Sequence, residues 1–292
     1  MITSYLKSTQ RAVDAALKIY LPPSSTKPAT IHQAMRYSLF AGGKRLRPIL
    51  SIAAAESCGG RMENALPAAC AVEIVHTYSL IHDDLPAMDN DDFRRGKPTN
   101  HKVYGDAIAI LAGDALLTMA FEVLASAAST PQYSVADQIR ELAKTSGSRA
   151  LIAGQVADLE AEGKKISLAQ LRFIHRAKTA ALLTGSIRLG AMSANASDTN
   201  LTALTIFAEN LGLAFQVIDD ILDVTQTSEK LGKSAGKDVA AQKATFPAVI
   251  GLEKSRQEAQ RLTNLSLSAL KPFGAKGDRL RELANHLLQR DY

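Results

Sequence analysis

An all-α fold is expected from three features of this chain. Long Ala- and Leu-rich stretches, notably 107–125 and 201–224, repeat their apolar residues at helical spacing. No stretch shows the convincing period-two alternation of a half-buried strand. Two short runs, Thr30-Ile31-His32-Gln33 and Ser167-Leu168-Ala169-Gln170, read as capping boxes, in which a hydroxyl and an amide satisfy the free backbone donors of a helix start.

The first box opens a helix that runs to about Gly42, where glycine can take the left-handed cap. A later helix carries His76 and Asp83 on one face, seven residues apart. It ends just after Asp84, because Pro86 disfavours helical backbone at Leu85. Segments rich in Pro, Gly and small polar residues, at 21–30, 58–64, 85–105, 126–133, 193–200, 225–245 and 271–278, are turns between helices. None resembles a long flexible linker, so a single domain over 1–292 is expected.

With 46% hydrophobic and 22% charged residues over 292 positions, the chain has the balance of a globular protein able to bury a large core. A net charge of +5 would suit nucleic acid or an anionic membrane surface. Dispersed bases, the lack of Trp and 5% aromatics leave little for base stacking, and a small polyanionic substrate accounts for the charge equally well. Lys7, Arg11, Asp14 and Lys18 interrupt any signal-peptide core, and no uncharged apolar run is long enough to span a bilayer, so a cytoplasmic location is expected. Cys58 and Cys70 fit neither a metal pattern nor a disulfide framework and read as buried free thiols.

Two aspartate clusters stand in apolar surroundings: Asp83-Asp84 with Asp89, and Asp219-Asp220 with Asp223. Burying such carboxylates is costly unless a metal or a basic group meets them, so the two clusters suggest one metal site with two walls. Asp219, Asp220 and Asp223, three and four residues apart, crowd onto one side of a helix and would repel without a cation. Hard carboxylate ligands suit Mg²⁺, which is held by few protein groups together with water and phosphate oxygens. Asp89 would return to Asp83 from a loop. His76 is either a phosphate contact or a satisfied core histidine.

Basic residues follow glycine in Gly42-Gly43-Lys44-Arg45-Leu46-Arg47-Pro48, and Arg94-Arg95-Gly96-Lys97 comes directly after the first acids. Such groups suit diphosphate oxygens. Lys178-Thr179, Gln216, and the series Lys233, Lys237 and Lys243 are further candidates. No nucleophile system, Walker loop or dinucleotide fingerprint is found, so electrophilic, metal-driven chemistry is expected.

The runs GGKRLRP, HTYSLIHDDLPAMDNDDFRRGKPT, AGQVADLEAEGKK, HRAKTAALL, FQVIDDILD and KDVAAQKATFP resemble the trans-isoprenyl diphosphate synthases, most of all the bacterial farnesyl diphosphate synthases, from about Thr30 to the C-terminus. The resemblance implies an all-α isoprenoid-synthase-type bundle around a deep central cavity, usually a homodimer. It implies that Asp83, Asp84 and Asp89 on one wall, and Asp219, Asp220 and Asp223 on the other, bind Mg²⁺. The allylic diphosphate would be shared with Arg94, Lys178, Gln216 and Lys233, with Thr179 nearby, and isopentenyl diphosphate held by Lys44, Arg47, His76 and Arg95.

The implied reaction ionises the allylic C–O bond, joins isopentenyl diphosphate to the resulting cation through its double bond, and then loses a proton. Dimethylallyl and geranyl diphosphate would be extended to farnesyl diphosphate. A geranylgeranyl diphosphate synthase is the nearest alternative, followed by a class I terpene cyclase; the GGKRLRP loop and Arg95 favour the transferase. A noncatalytic partner subunit is a further rival, against which both intact aspartate clusters speak, and a basic nucleic-acid-binding bundle would need no magnesium.

In farnesyl synthases of this type an aromatic residue stands five positions before the first Asp, here Tyr78. At ~1.5 Å per helical residue it lies about 7.5 Å along the axis, where its ring can cap a growing tail. Replacing it, Tyr78→Ala, is expected to lengthen the product, and mass spectrometry giving an unchanged chain length would remove Tyr78 from this role.

Overall fold

The structure, a computed structural model, describes residues 2–225 and 244–288. Lys233, Lys237 and Lys243 lie outside the described residues. The architecture is helical, as the sequence predicts. In chain order the helices are α1 (Ile2–Tyr20), α2 (Ala29–Leu39), α3 (Leu46–Ser57), α4 (Met62–Asp83), α5 (Asn100–Tyr104), α6 (Asp106–Ala125), α7 (Val135–Ser146), α8 (Leu151–Ala161) and α9 (Leu168–His175). A five-residue π-helical segment, Arg176–Ala180, leads into α10 (Ala181–Ser193) and α11 (Asp198–Thr225). Then come α12 (Phe246–Ile250), α13 (Leu252–Ala269), a 3₁₀ turn (Lys271–Gly277) and α14 (Asp278–Leu288).

α4 is the central element. Its buried positions run all round the helix, from Ala65 to Ile81, which is the pattern of a helix enclosed by others. It packs on α3, α6 and α10, while α11 packs on α13. A hydrogen bond of 3.0 Å between His82 Nε2 and the Ile110 carbonyl ties α4 to α6.

The Ser167 box forms as the sequence predicts, with Gln170 N–H donating to Ser167 Oγ and Ser167 N–H donating to Gln170 Oε1. The Thr30 box does not. α2 starts two residues earlier, at Ala29 with Pro28 in place of Thr30 as its cap residue, without a side-chain cap, because proline already supplies the extended backbone that enters a helix. It also stops at Leu39, short of Gly42.

Three further expectations are revised. Cys58 is only half-buried, whereas Cys70 is buried. α6 and α11 are long and apolar enough to cross a membrane by length and composition; within the bundle they are the partners of α4 and α13. One two-strand ribbon exists, β1 (Phe93–Arg94) antiparallel to β2 (Lys97–Pro98). Its connecting pair Arg95-Gly96 has φ of 56° and 75°, as tight two-residue hairpin turns require.

Arg45 anchors the GGKRLRP segment to this core. It is 3% exposed and stands at the start of α3 with φ of 50°, in the left-handed region. Its guanidinium donates to Asp14 at 2.8 Å, to Glu73 at 2.9 Å and to the Leu39 carbonyl at 2.7 Å, joining α1, α2 and α4. Glu73 is 1% exposed and would be left as an uncompensated buried charge without it. Arg45→Met is therefore expected to destabilise the protein by about 3–5 kcal/mol in denaturant unfolding. The double change with Glu73→Leu should recover a large part of that loss.

Candidate active site

The end of α4 positions the first acidic cluster. Asp83 is the last helical residue and Asp84 the cap, after which Pro86 prevents continuation. The loop then folds back, with Met88 N–H donating to the Leu85 carbonyl at 2.9 Å and Asp89 N–H to the Asp83 carbonyl at 2.9 Å. Asp83 and Asp89 are thus brought together by a turn, although six residues along an ideal helix would separate them. Burial pushes the Asp83 carboxyl up to about 6, a trend that Lys178 opposes and Asp89 reinforces.

The ribbon delivers two arginines to different partners. Arg94 Nε donates to both oxygens of Asp84, at 2.7 and 2.9 Å. Arg95 donates to the Gly42 carbonyl. The GGKRLRP loop and the ribbon therefore meet, and a cavity of about 440 Å³ opens between them, lined by Lys44, Arg47, His76 and Arg95 together with Glu73. These are the four residues grouped from the sequence for isopentenyl diphosphate. Burial and the surrounding arginines push the His76 imidazole well below its usual range, leaving it neutral.

Arg47 and His76 also line a second cavity, of about 550 Å³, whose wall contains Tyr78, Asp83, Lys178 and Thr179. Apolar side chains, among them Met88, Leu117, Leu151, Ile152, Val156 and Leu182, make up much of the remaining wall, with Ser79, His82, Asp114 and Gln155. Tyr78 is 5% exposed and its ring meets His82 edge-on at 5.7 Å.

Lys178 and Thr179 sit on the π segment, whose wider winding is common at functional positions. Two glycines admit it. A Cβ at Gly154 of α8 would overlap the Lys178 backbone, and one at Gly212 of α11 would come within 2.8 Å of Ala180 Cα. Lys178 Nζ bonds Asp158 Oδ2 at 2.6 Å.

The second acidic cluster is on α11. Asp220 and Asp223 are buried and Asp219 half-buried, as the flanking Ile and Leu residues suggested. Asp220 Oδ2 accepts the Phe246 N–H at 2.8 Å and lies 3.7 Å from His175 Nε2. Burial holds His175 near 4, so that contact involves a neutral ring. Asp223 differs: both carboxylate oxygens are buried and neither has a hydrogen-bond partner among the described residues. A buried carboxylate of that kind fits a cation ligand. Among the described residues no three acidic, His or Cys side chains converge tightly enough to hold a metal unaided. Gln216 is half-buried on the same helix.

Asp158 and Gln155 were missed by the sequence reading. They are three apart on α8, Asp158 pairs with Lys178, and Gln155 lines the 550 Å³ cavity with a buried Nε2 lacking a partner. Their spacing within AGQVADLEAEGKK was the available signal. Gly154→Ala is expected to displace Lys178 and lower turnover by at least about tenfold, with a stability loss of about 1–3 kcal/mol. Turnover and thermal unfolding measured on the same variant separate the two effects.

A family model described as polyprenyl synthetase matches residues 28–273. The large subunit 1 of a chloroplastic heterodimeric geranylgeranyl pyrophosphate synthase from Arabidopsis thaliana is 52% identical over 98% of this chain and 79% of its own length. A chloroplastic geranylgeranyl pyrophosphate synthase from Capsicum annuum is 49% identical over 99% of this chain and 78% of its own. The crystal structure of an FPP/GFPP synthase from Zymomonas mobilis superposes with a TM-score of 0.86 at 35% identity, covering 98% of both chains. With a family match over most of its length, closely related sequences and the same helical architecture, the chain belongs to the polyprenyl synthetase family and is a prenyltransferase.

Proposed function

We propose that this prenyltransferase condenses isopentenyl diphosphate with allylic diphosphates and that its principal product is geranylgeranyl diphosphate. This replaces the farnesyl product expected from Tyr78. The observation that carries the revision is the similarity to the two plant relatives, whose names are those of geranylgeranyl pyrophosphate synthases. The 550 Å³ cavity is compatible with it, since Leu117, Ile152 and Val156 line it beside Tyr78 and apolar surface is not confined to that ring.

In this reading Lys44, Arg47, His76 and Arg95 hold isopentenyl diphosphate in the 440 Å³ cavity, beside Asp83 and Lys178 in the neighbouring one. Neutral His76 can donate one hydrogen bond without adding charge to an already basic site. Asp83, Asp84, Asp89, Asp219, Asp220 and Asp223 would hold Mg²⁺, which when bound supplies charge neutralisation on the departing diphosphate. Arg94 and Lys178 add to that neutralisation by sharing their forks and ammonium between Asp84 or Asp158 and the incoming oxygens. Thr179 and Gln216 orient the same group. The apolar wall keeps water from the allylic cation. No side chain here is placed as a strong base, so the released diphosphate takes the proton. A homodimer and a cytoplasmic location belong to the same proposal, with sedimentation equilibrium the measure of the first.

Purified protein given isopentenyl diphosphate, Mg²⁺ and dimethylallyl, geranyl or farnesyl diphosphate is expected to yield a C20 product. Accumulation of C15 with no extension of farnesyl diphosphate would restore the earlier reading, and no condensation in any mixture would end both. Chelation of the metal should abolish turnover, and Asp83→Asn or Asp223→Asn should lower it about 10²–10³-fold.

A further inference from the structure

A further cavity, of about 680 Å³, lies apart from those described above. It lies among α7, the start of α8, the π segment, α10 and α11. Lys144, Arg149 and Arg176 are in its wall, all exposed and none with an ion-pair partner among the described residues. Arg188, also in the wall, is committed to Glu141 at 2.7 and 3.1 Å and to Thr205 at 2.7 Å. Glu209 is the remaining acid of the wall, so unpaired positive charge outnumbers unpaired negative charge three to one.

Two observations point to an anion with oxygen acceptors. Thr184, only 8% exposed in the same wall, has a hydroxyl with no hydrogen-bond partner. α8 also begins beside Ala150 of the wall without a side-chain cap, leaving the positive end of an 11-residue helix at the cavity. Ala180, Ala181 and Leu213 give the cavity an apolar part.

We propose that this second cavity binds a diphosphate-bearing anion, either free diphosphate or the head of a prenyl diphosphate whose tail lies on the Ala and Leu surface. Three cations on one rim suit a multiply charged ligand better than a single carboxylate. The π segment gives the site a route to the reaction. Arg176 and Ala180 line this cavity while Lys178 and Thr179, in the same five residues, line the other.

Calorimetric titration of the full chain with inorganic diphosphate in the presence of Mg²⁺ is expected to resolve one binding event beyond those at the two diphosphate positions of the condensation site. Charge reversal, Lys144→Glu with Arg149→Glu, should weaken that event at least tenfold and leave the others. Arg94→Ala with Lys178→Ala should leave it unchanged. A titration in which no event responds to the reversal overturns the proposal. If the reversal lowers the melting temperature, the milder pair Lys144→Ala with Arg149→Ala replaces it under the same criterion. Geranylgeranyl diphosphate binding more tightly than inorganic diphosphate at the reversal-sensitive event identifies the tailed ligand, and equal affinity the free one. The proposal does not rest on the condensation reading: a chain that forms no C20 product would still show the reversal-sensitive event.

Discussion

Carboxylates held in apolar surroundings must be met by positive charge, and this requirement arranges the molecule from its scaffold to its reaction cavity. Glu73 and Asp14 are met by Arg45, which fastens three helices to the loop before α3. Asp84 is met by Arg94 and Asp158 by Lys178, so these two cations are already held in place by acids. Asp223 has no such partner within hydrogen-bonding reach among the described residues. The same physical demand produces structural ion pairs where the cation is covalently part of the chain, and under the proposed function it would be met at Asp223 by a bound cation.

Helix content, the break after Asp84 and the return of Asp89 were legible because each follows from local chemistry: apolar spacing, proline sterics and a short turn. The Ser167 box was legible for the same reason. The Thr30 box was not, since Pro28 offered an equally good helix entry that side-chain pattern alone does not rank. Asp158 escaped notice because a lone acid on a surface-like helix acquires meaning only from the lysine packed against it, 20 residues later in the chain. The π segment is likewise invisible in sequence. It depends on Gly154 and Gly212 leaving room on both sides, a property of two distant helices together.

Helical spacing puts the Tyr78 ring in the wall of the cavity, close to Asp83. α6 and α8 supply Leu117, Ile152 and Val156 to the same lining, so under the proposed function the length of the product would depend on three helices and not on one aromatic residue alone.

The β1–β2 ribbon has a mechanical corollary. Arg94, the last residue of β1, reaches Asp84, while Arg95, the first residue of the two-residue turn, lines the 440 Å³ cavity and reaches the Gly42 carbonyl. The two contacts leave the chain from consecutive residues, so a displacement of the ribbon would be felt at both.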